Sequence, residues 1–169
     1  MRTALRHALT PAPLSAALLS AALLLGAAPA TAGSRQDATV IMPEDPKARQ
    51  MLEDWGFADA VVSGDTVYLS GVVAGLREGE TDLQPAFTRA FDRIGAILGR
   101  AGASWDDVVE MTTYHTDLTS QMPGFMAVKH RYVKQPFPAW TAIGVSRLVP
   151  GNGLVEIKVT AKLPAKAKP

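Results

Sequence analysis

Cysteine is absent from the 169 residues, which excludes a disulfide framework, a thiolate metal site, a thiol nucleophile and a lipid-modified cysteine. Histidine is scarce, with three in the whole chain, and no His-Glu-X-X-His or paired-carboxylate spacing offers a metal site. Excess charge of either sign is also missing. The 17 Lys and Arg face 16 Asp and Glu, so nothing suggests a protein that holds a polyanion by counterion release. No Gly-X-Ser-X-Gly elbow and no Walker-type loop occurs, which removes the usual warrants for serine acyl transfer and nucleotide hydrolysis. What is present, 47% hydrophobic and 20% charged residues, is ordinary for one α/β or α+β domain.

Residues 1–32 read as a secretory signal. Arg2, Arg6 and His7 precede an uncharged Ala/Leu stretch from Leu14 to Ala28, and Ala30-Thr31-Ala32 supplies the small residues of a cleavage site before Gly33. The competing reading is a membrane anchor. It is disfavoured because the apolar stretch is Ala-rich, bounded by Pro11, Pro13 and Pro29, and shorter than the ~20 residues a bilayer needs. Cleavage would remove two bases and leave 15 against 16 acids, a nearly neutral protein with a periplasmic or secreted address. Residues 33–54 form an N-terminal segment, 55–163 the main domain and 164–169 a Lys/Pro tail.

Within the domain, Ala58–Val62 and Thr66–Ser70 flank Ser63-Gly64-Asp65, a hairpin signal. Before it, residues 38–42 could pair as a short strand and 47–54 could make one or two helical turns. Leu83, Phe87, Ala90, Phe91, Ile94, Ile97 and Leu98 recur at the three-and-four spacing of one helix face, and Gly102 supplies its left-handed stop. Ser104 ahead of Asp106 and Asp107 suggests a short capped turn, and residues 108–116 form a strand rich in β-branched and aromatic side chains. A second helix is expected over 122–132, with Phe125, Val128 and Tyr132 as its stripe, ending before Pro136 and Pro138. Strands follow at 139–145 and 154–163, joined by Pro150-Gly151-Asn152-Gly153. This order predicts an α+β fold, two helices packed on one mostly antiparallel sheet. In the last strand Val155, Ile157 and Val159 alternate with Glu156, Lys158 and Thr160, and the preceding strand carries apolar groups on both sides. A sheet that is apolar on both faces points to association with further copies.

Few residues suit chemistry. His115 lies in a strand and reads first as a structural histidine, with a general base as the alternative; His130 reads as a solvated helix residue. Glu156, inside a Val/Ile strand, either points to water or is held in a cleft as a general base.

Five short motifs in order, Val67-Tyr68-Leu69-Ser70-Gly71, Ala103-Ser104-Trp105-Asp106-Asp107-Val108-Val109, Thr116-Asp117-Leu118, Pro138-Ala139 and Leu154-Val155-Glu156-Ile157, resemble the Rid family, also called YjgF-type proteins. The resemblance spans about residues 55–162. It implies a chorismate-mutase-like fold, a homotrimer with ligand clefts between subunits, and, for RidA-type members, hydrolysis of reactive enamines and imines such as 2-aminoacrylate and 2-iminobutanoate to a keto acid and ammonia. No cofactor and no metal are implied, and the partner is a small-molecule substrate. On the matching positions, Glu156 is the water-activating glutamate, Gly71 the cleft glycine and Ala142 the residue offering a main-chain N–H.

Three positions depart from the RidA pattern. Trp140 follows Pro138-Ala139 where an arginine is expected, Phe57 stands for the cleft tyrosine, and Lys129 stands near a helix asparagine. An indole cannot neutralise a carboxylate. Losing a bidentate charge-assisted pair forfeits on the order of 2–3 kcal/mol of carboxylate binding, roughly 30- to 150-fold. Two readings follow. Either Lys129, or Arg147 in Ser146-Arg147-Leu148, supplies the charge and an imine deaminase survives on an altered substrate, or the cleft binds a less acidic or aromatic ligand between Trp140 and Phe57. A non-catalytic small-molecule-binding trimer is the alternative function. An RNA-cleaving role lacks the basic patch and paired histidines it would need.

Overall fold

A computed structural model describes residues 35–164, and its architecture follows from β7 (Gly153–Lys162), the longest strand. Ten residues of extended chain offer more backbone groups than one short neighbour can satisfy. Along one side β7 pairs antiparallel with β5 (Val108–His115); along the other it pairs with two strands end to end, β3 (Thr66–Leu69) and β4 (Val72–Gly75). The sequence predicts no element between Gly71 and Leu83. The unsatisfied groups of β7 explain why Val72–Gly75 becomes a strand despite its brevity.

The sheet continues outward from β3 through β2 (Ala60–Ser63) to β1 (Thr39–Ile41), and from β5 to β6 (Ala139–Gly144). The β2–β3 hairpin forms around Gly64, whose φ of 61° suits the tight turn. One pair is parallel: β5 and β6 are linked by α3 (Leu118–Tyr132), and a strand–helix–strand crossover delivers its second strand in the same direction. The sheet is therefore mixed, though mostly antiparallel.

Helix α2 (Leu83–Arg100) runs in the expected register, with Phe87, Ala90, Phe91, Ile94, Ile97 and Leu98 buried and Leu83 partly so. Each such side chain taken fully from water contributes about 1.5–3 kcal/mol. Phe91 is the hub, with ring centroids 5.2 Å from Trp105, 5.6 Å from Phe125 and 5.1 Å from Tyr132. The Tyr132 hydroxyl donates to Asp92 at 2.6 Å, and burial together with that carboxylate raises its pKa to about 12. Ser104 and Asp107 close a capping box on the turn before β5.

Two helix boundaries differ from the sequence expectation. Helix α3 begins at Leu118 rather than near 122, because Asp117 caps it by accepting from the Ser120 amide at 3.1 Å. A third helix, α1 (Pro46–Trp55), is longer than one or two turns. Asp45 caps it, Pro46 sits where a missing N–H costs nothing, and Gly56 ends it at a φ of 72°. Helices α2 and α3 cover one face of the sheet, and α1 is anchored by the fully buried Leu52. The other face of the sheet stays open, with Tyr68 and Ile143 substantially exposed. The predicted signal segment, residues 1–32, lies outside the described residues, as does most of the tail.

Candidate functional site

The alternation along β7 turns Val155, Ile157 and Val159 into the core and Glu156 to the open face. Its register neighbours there are Val73 of β4 and Tyr114 of β5. The chain opposite β7 breaks between β3 and β4, at Ser70-Gly71, where the Ser70 hydroxyl donates to the Ala58 carbonyl at 2.6 Å and its amide to the Asp59 carbonyl at 2.9 Å. What Gly71 provides at the break is close approach rather than an unusual backbone angle. A Cβ there would fall on the Glu156 carboxylate, which lies over the Gly71 backbone.

Around this pair opens a cleft of about 780 Å³, walled by Trp55, Phe57, Tyr68, Tyr114 and Val149, with Glu156 and Lys158 as its charged groups. A second compartment of about 380 Å³ shares Trp55, Phe57, Gly71 and Val149 as walls and runs toward Leu52 of α1, Asp59 and Arg93. Three of the residues expected at the site, Glu156, Gly71 and Phe57, are thus brought together in one chain.

The other four are placed elsewhere. Trp140 and Ala142 are in register with Met111 and Thr113 of β5, both fully buried beneath the helices, so they share the helix-covered face. The Trp140 indole donates to Thr113 Oγ1 at 3.1 Å, and that oxygen lies 3.0 Å from His115 Nε2. Lys129, only 7% exposed, sets its ammonium 4.0 Å from the centre of the Trp140 ring. Desolvation holds the Lys129 pKa below its ordinary value. Among the described residues no carboxylate pairs with it. The two departures from the RidA pattern at positions 129 and 140 are therefore one physical unit, a cation held over an aromatic face. His115 is fully buried and bonded to Thr113, the structural role, and its pKa is lowered by desolvation against an opposing contribution from Gln121. Arg147 is exposed in the connection from β6 to β7, and Leu148 and Val149 of that connection line the cleft in its place.

Sequence reasoning missed Trp55 and Arg93 as cleft residues. Trp55 ends α1 and is largely exposed. Arg93 flanks the α2 stripe and bonds buried Asp59 through Nη2 at 3.2 Å. Asp-Pro at 45–46 was the available signal for α1 and hence for Trp55; nothing local marks Arg93. Among the described residues no group of three or more His, Asp and Glu side chains is arranged for a metal.

Comparison with known proteins agrees with this architecture. The family model described as Endoribonuclease L-PSP matches residues 47–163. The chain is 38% identical over 111 residues to the RutC family protein YjgH of Escherichia coli, covering 64% of this chain and 83% of that one. It is 32% identical over 106 residues to a 2-iminobutanoate/2-iminopropanoate deaminase of Dermatophagoides farinae, covering 60% of this chain and 81% of that one. A solved structure of protein YJGH superposes with a TM-score of 0.64 at 33% identity, over 76% of this chain and 98% of that chain. With a matched fold, a matched sequence and Glu156 seated over Gly71, the chain belongs to the Endoribonuclease L-PSP family, the YjgF-type family its motifs resemble.

Proposed function

We propose that this protein is an exported, oligomeric Rid-family hydrolase that releases ammonia from reactive imines and enamines of the 2-iminobutanoate/2-iminopropanoate class, or a less acidic analogue, without a cofactor. The observation that carries the reading is the Glu156 carboxylate lying over Gly71 inside an aromatic cleft. Glu156 takes a proton from a water as its oxygen bonds to the imine carbon. Glu156 returns that proton to the imine nitrogen, and as the carbinolamine collapses its hydroxyl proton passes to the amine, so that the C–N bond breaks to give the carbonyl compound and ammonia. The aromatic walls hold the substrate plane. The relative named as a 2-iminobutanoate/2-iminopropanoate deaminase supports this chemistry.

A homotrimer is part of the proposal. It is supported by the free outer edge of β6, which ends the sheet, and by apolar side chains on the open face. In such an assembly the cleft is bounded by a neighbouring copy, and the unlike charges of Glu156 and Lys158 give no basic track for RNA. A second reading, a trimer that binds a small molecule without turnover, is favoured by the lack of an arginine among the residues of this chain that line the wider cleft. Freshly generated imine is the test. The purified protein is expected to accelerate ammonia release, with Glu156→Gln lowering kcat by roughly 100-fold. Equal rates with both proteins, alongside retained ligand binding, would establish the non-catalytic reading.

A further inference from the structure

Within one protomer, Lys158 is the cation among the residues that line the wider cleft. Lys129 is committed to Trp140 beneath the helices, and Arg147 lies outside the cleft walls. Lys158 lines the wider cleft, but it stands two residues from Glu156 on the same face, roughly 7 Å along the strand. Its side chain is exposed, and among the described residues no ion pair holds it in place.

The smaller compartment has a cation of a different kind. Asp59 is 4% exposed and bonds two arginines from α2: Arg100 Nη2 at 2.6 Å and Arg93 Nη2 at 3.2 Å. Arg93 and Asp59 both line this compartment, whereas Arg100 lines a neighbouring pocket with Pro43 and Ile97 and offsets the Asp59 charge from that side. Arg100 makes the shorter contact, while Arg93 makes one long bond, keeps its side chain 53% exposed and lines the compartment with Phe57 and Gly71. Most of its donors are therefore unspent, and its bond to the buried Asp59 tethers it at the compartment wall. A guanidinium held in this way is prepared for bidentate recognition of a carboxylate. Met51, Leu52, Trp55 and Phe57 give it apolar and aromatic walls, and Asp59 and Ser70 are its other polar lining residues. At about 380 Å³ the space falls within the range of sites for molecules larger than a three-carbon acid.

We infer that Arg93 is the carboxylate-binding residue of the cleft, and that the preferred substrate is an imino acid with a bulky apolar or aromatic side chain. Its anionic end lies at Arg93, its side chain against Trp55 and Phe57, and its imine carbon near Gly71, toward Glu156. This inference rests on the proposed hydrolytic site for its catalytic part, but its binding part stands apart from turnover.

The experiment has two arms. In the first, ammonia release is measured on imines generated in situ from phenylalanine, from alanine and from phenethylamine, the last lacking the carboxylate. Wild type is expected to prefer the phenylalanine-derived imine over the alanine-derived one by at least about 10-fold in kcat/KM. Arg93→Gln should lose roughly 30-fold on the phenylalanine-derived imine, through KM, and stay within about 3-fold on the phenethylamine-derived one. In the second arm, quenching of tryptophan fluorescence reports binding of 3-phenylpropanoate and of its amide. Arg93→Gln should weaken the acid by about 30-fold and leave the amide unchanged. Because Arg100 still pairs with Asp59, the thermal midpoint of the variant serves as a check that the fold is intact. Equal losses on acid and amide, no loss on either, or a selective loss produced by Lys158→Gln in place of Arg93→Gln would overturn the assignment. If Glu156→Gln leaves every rate unchanged while the acid–amide difference persists, the hydrolytic reading fails and the anion site stands.

Discussion

The two faces of this one sheet are held together differently. On the helix-covered face, Phe87, Phe91 and Phe125 are fully buried and edge or tilt against one another, and even the polar groups Thr113, His115 and Lys129 are enclosed. On the open face, Tyr68, Glu156 and Lys158 stand partly in solvent around a cleft, and Ile143 is exposed as well. A strand that alternates every second residue supplies both surfaces, so a single position decides whether a side chain serves the core or the site. Phe57 lies in the cleft, whereas the two departures from the RidA pattern that bear on charge, Trp140 and Lys129, fall on the covered face. There they form a contact with each other.

Truncation at the hub should separate the faces most clearly. Phe91→Ala removes a ring that touches three others and is expected to cost about 3–5 kcal/mol in urea unfolding, whereas Tyr68→Ala on the open face should cost less than ~1 kcal/mol of protomer stability. Comparable losses would mean that the open face is as tightly packed as the covered one.

Next in size is the cation–aromatic unit. Trp140→Arg places a guanidinium against the buried Lys129 ammonium and should destabilise by about 2–3 kcal/mol. Adding Lys129→Asn removes the repulsion, so the double variant should recover at least ~1 kcal/mol relative to the single one, a coupling that a double-mutant cycle reads directly. Strict additivity would show that the two positions are independent.

The smallest effect is a slope with pH. The folded-state pKa of Lys129 lies below its unfolded value of 10.5 because burial disfavours the charged form. The folded chain therefore bears the cost of holding the charge at neutral pH and is relieved of it as pH rises through the lowered pKa toward 10.5. Wild type should gain stability relative to Lys129→Met across that alkaline window, by less than about 1 kcal/mol once solvent screening is allowed for. A difference that is flat or opposite in sign would place the ammonium in contact with water or with a carboxylate.

The parts legible in the sequence were those fixed by local rules. The α2 stripe, the Gly64 turn, the Ser104 cap and the alternation of β7 each depend on residues within a few positions of one another. Strand β4 depends on the length of a partner more than 75 residues away, and α3 begins early because of a single capping contact at Asp117. Glu156 and Gly71 were legible through motif resemblance, but their overlap required the pairing of β4 with β7. The Lys129–Trp140 contact joins a helix to a strand, and the Arg93–Asp59 bond joins α2 to the start of β2. Neither has a local signature, since what makes each group distinctive is a neighbour brought to it by the fold.

The most direct test of the central claim, that catalysis depends on Glu156 having room over Gly71, is the rate of ammonia release by Glu156→Gln, Gly71→Ala and the double variant. An alanine at 71 would displace the carboxylate without breaking the strand, so each single change should lower the rate by roughly 100-fold and the double variant no further than Glu156→Gln alone. Losses that multiply, or a Glu156→Gln protein as fast as wild type, would contradict it.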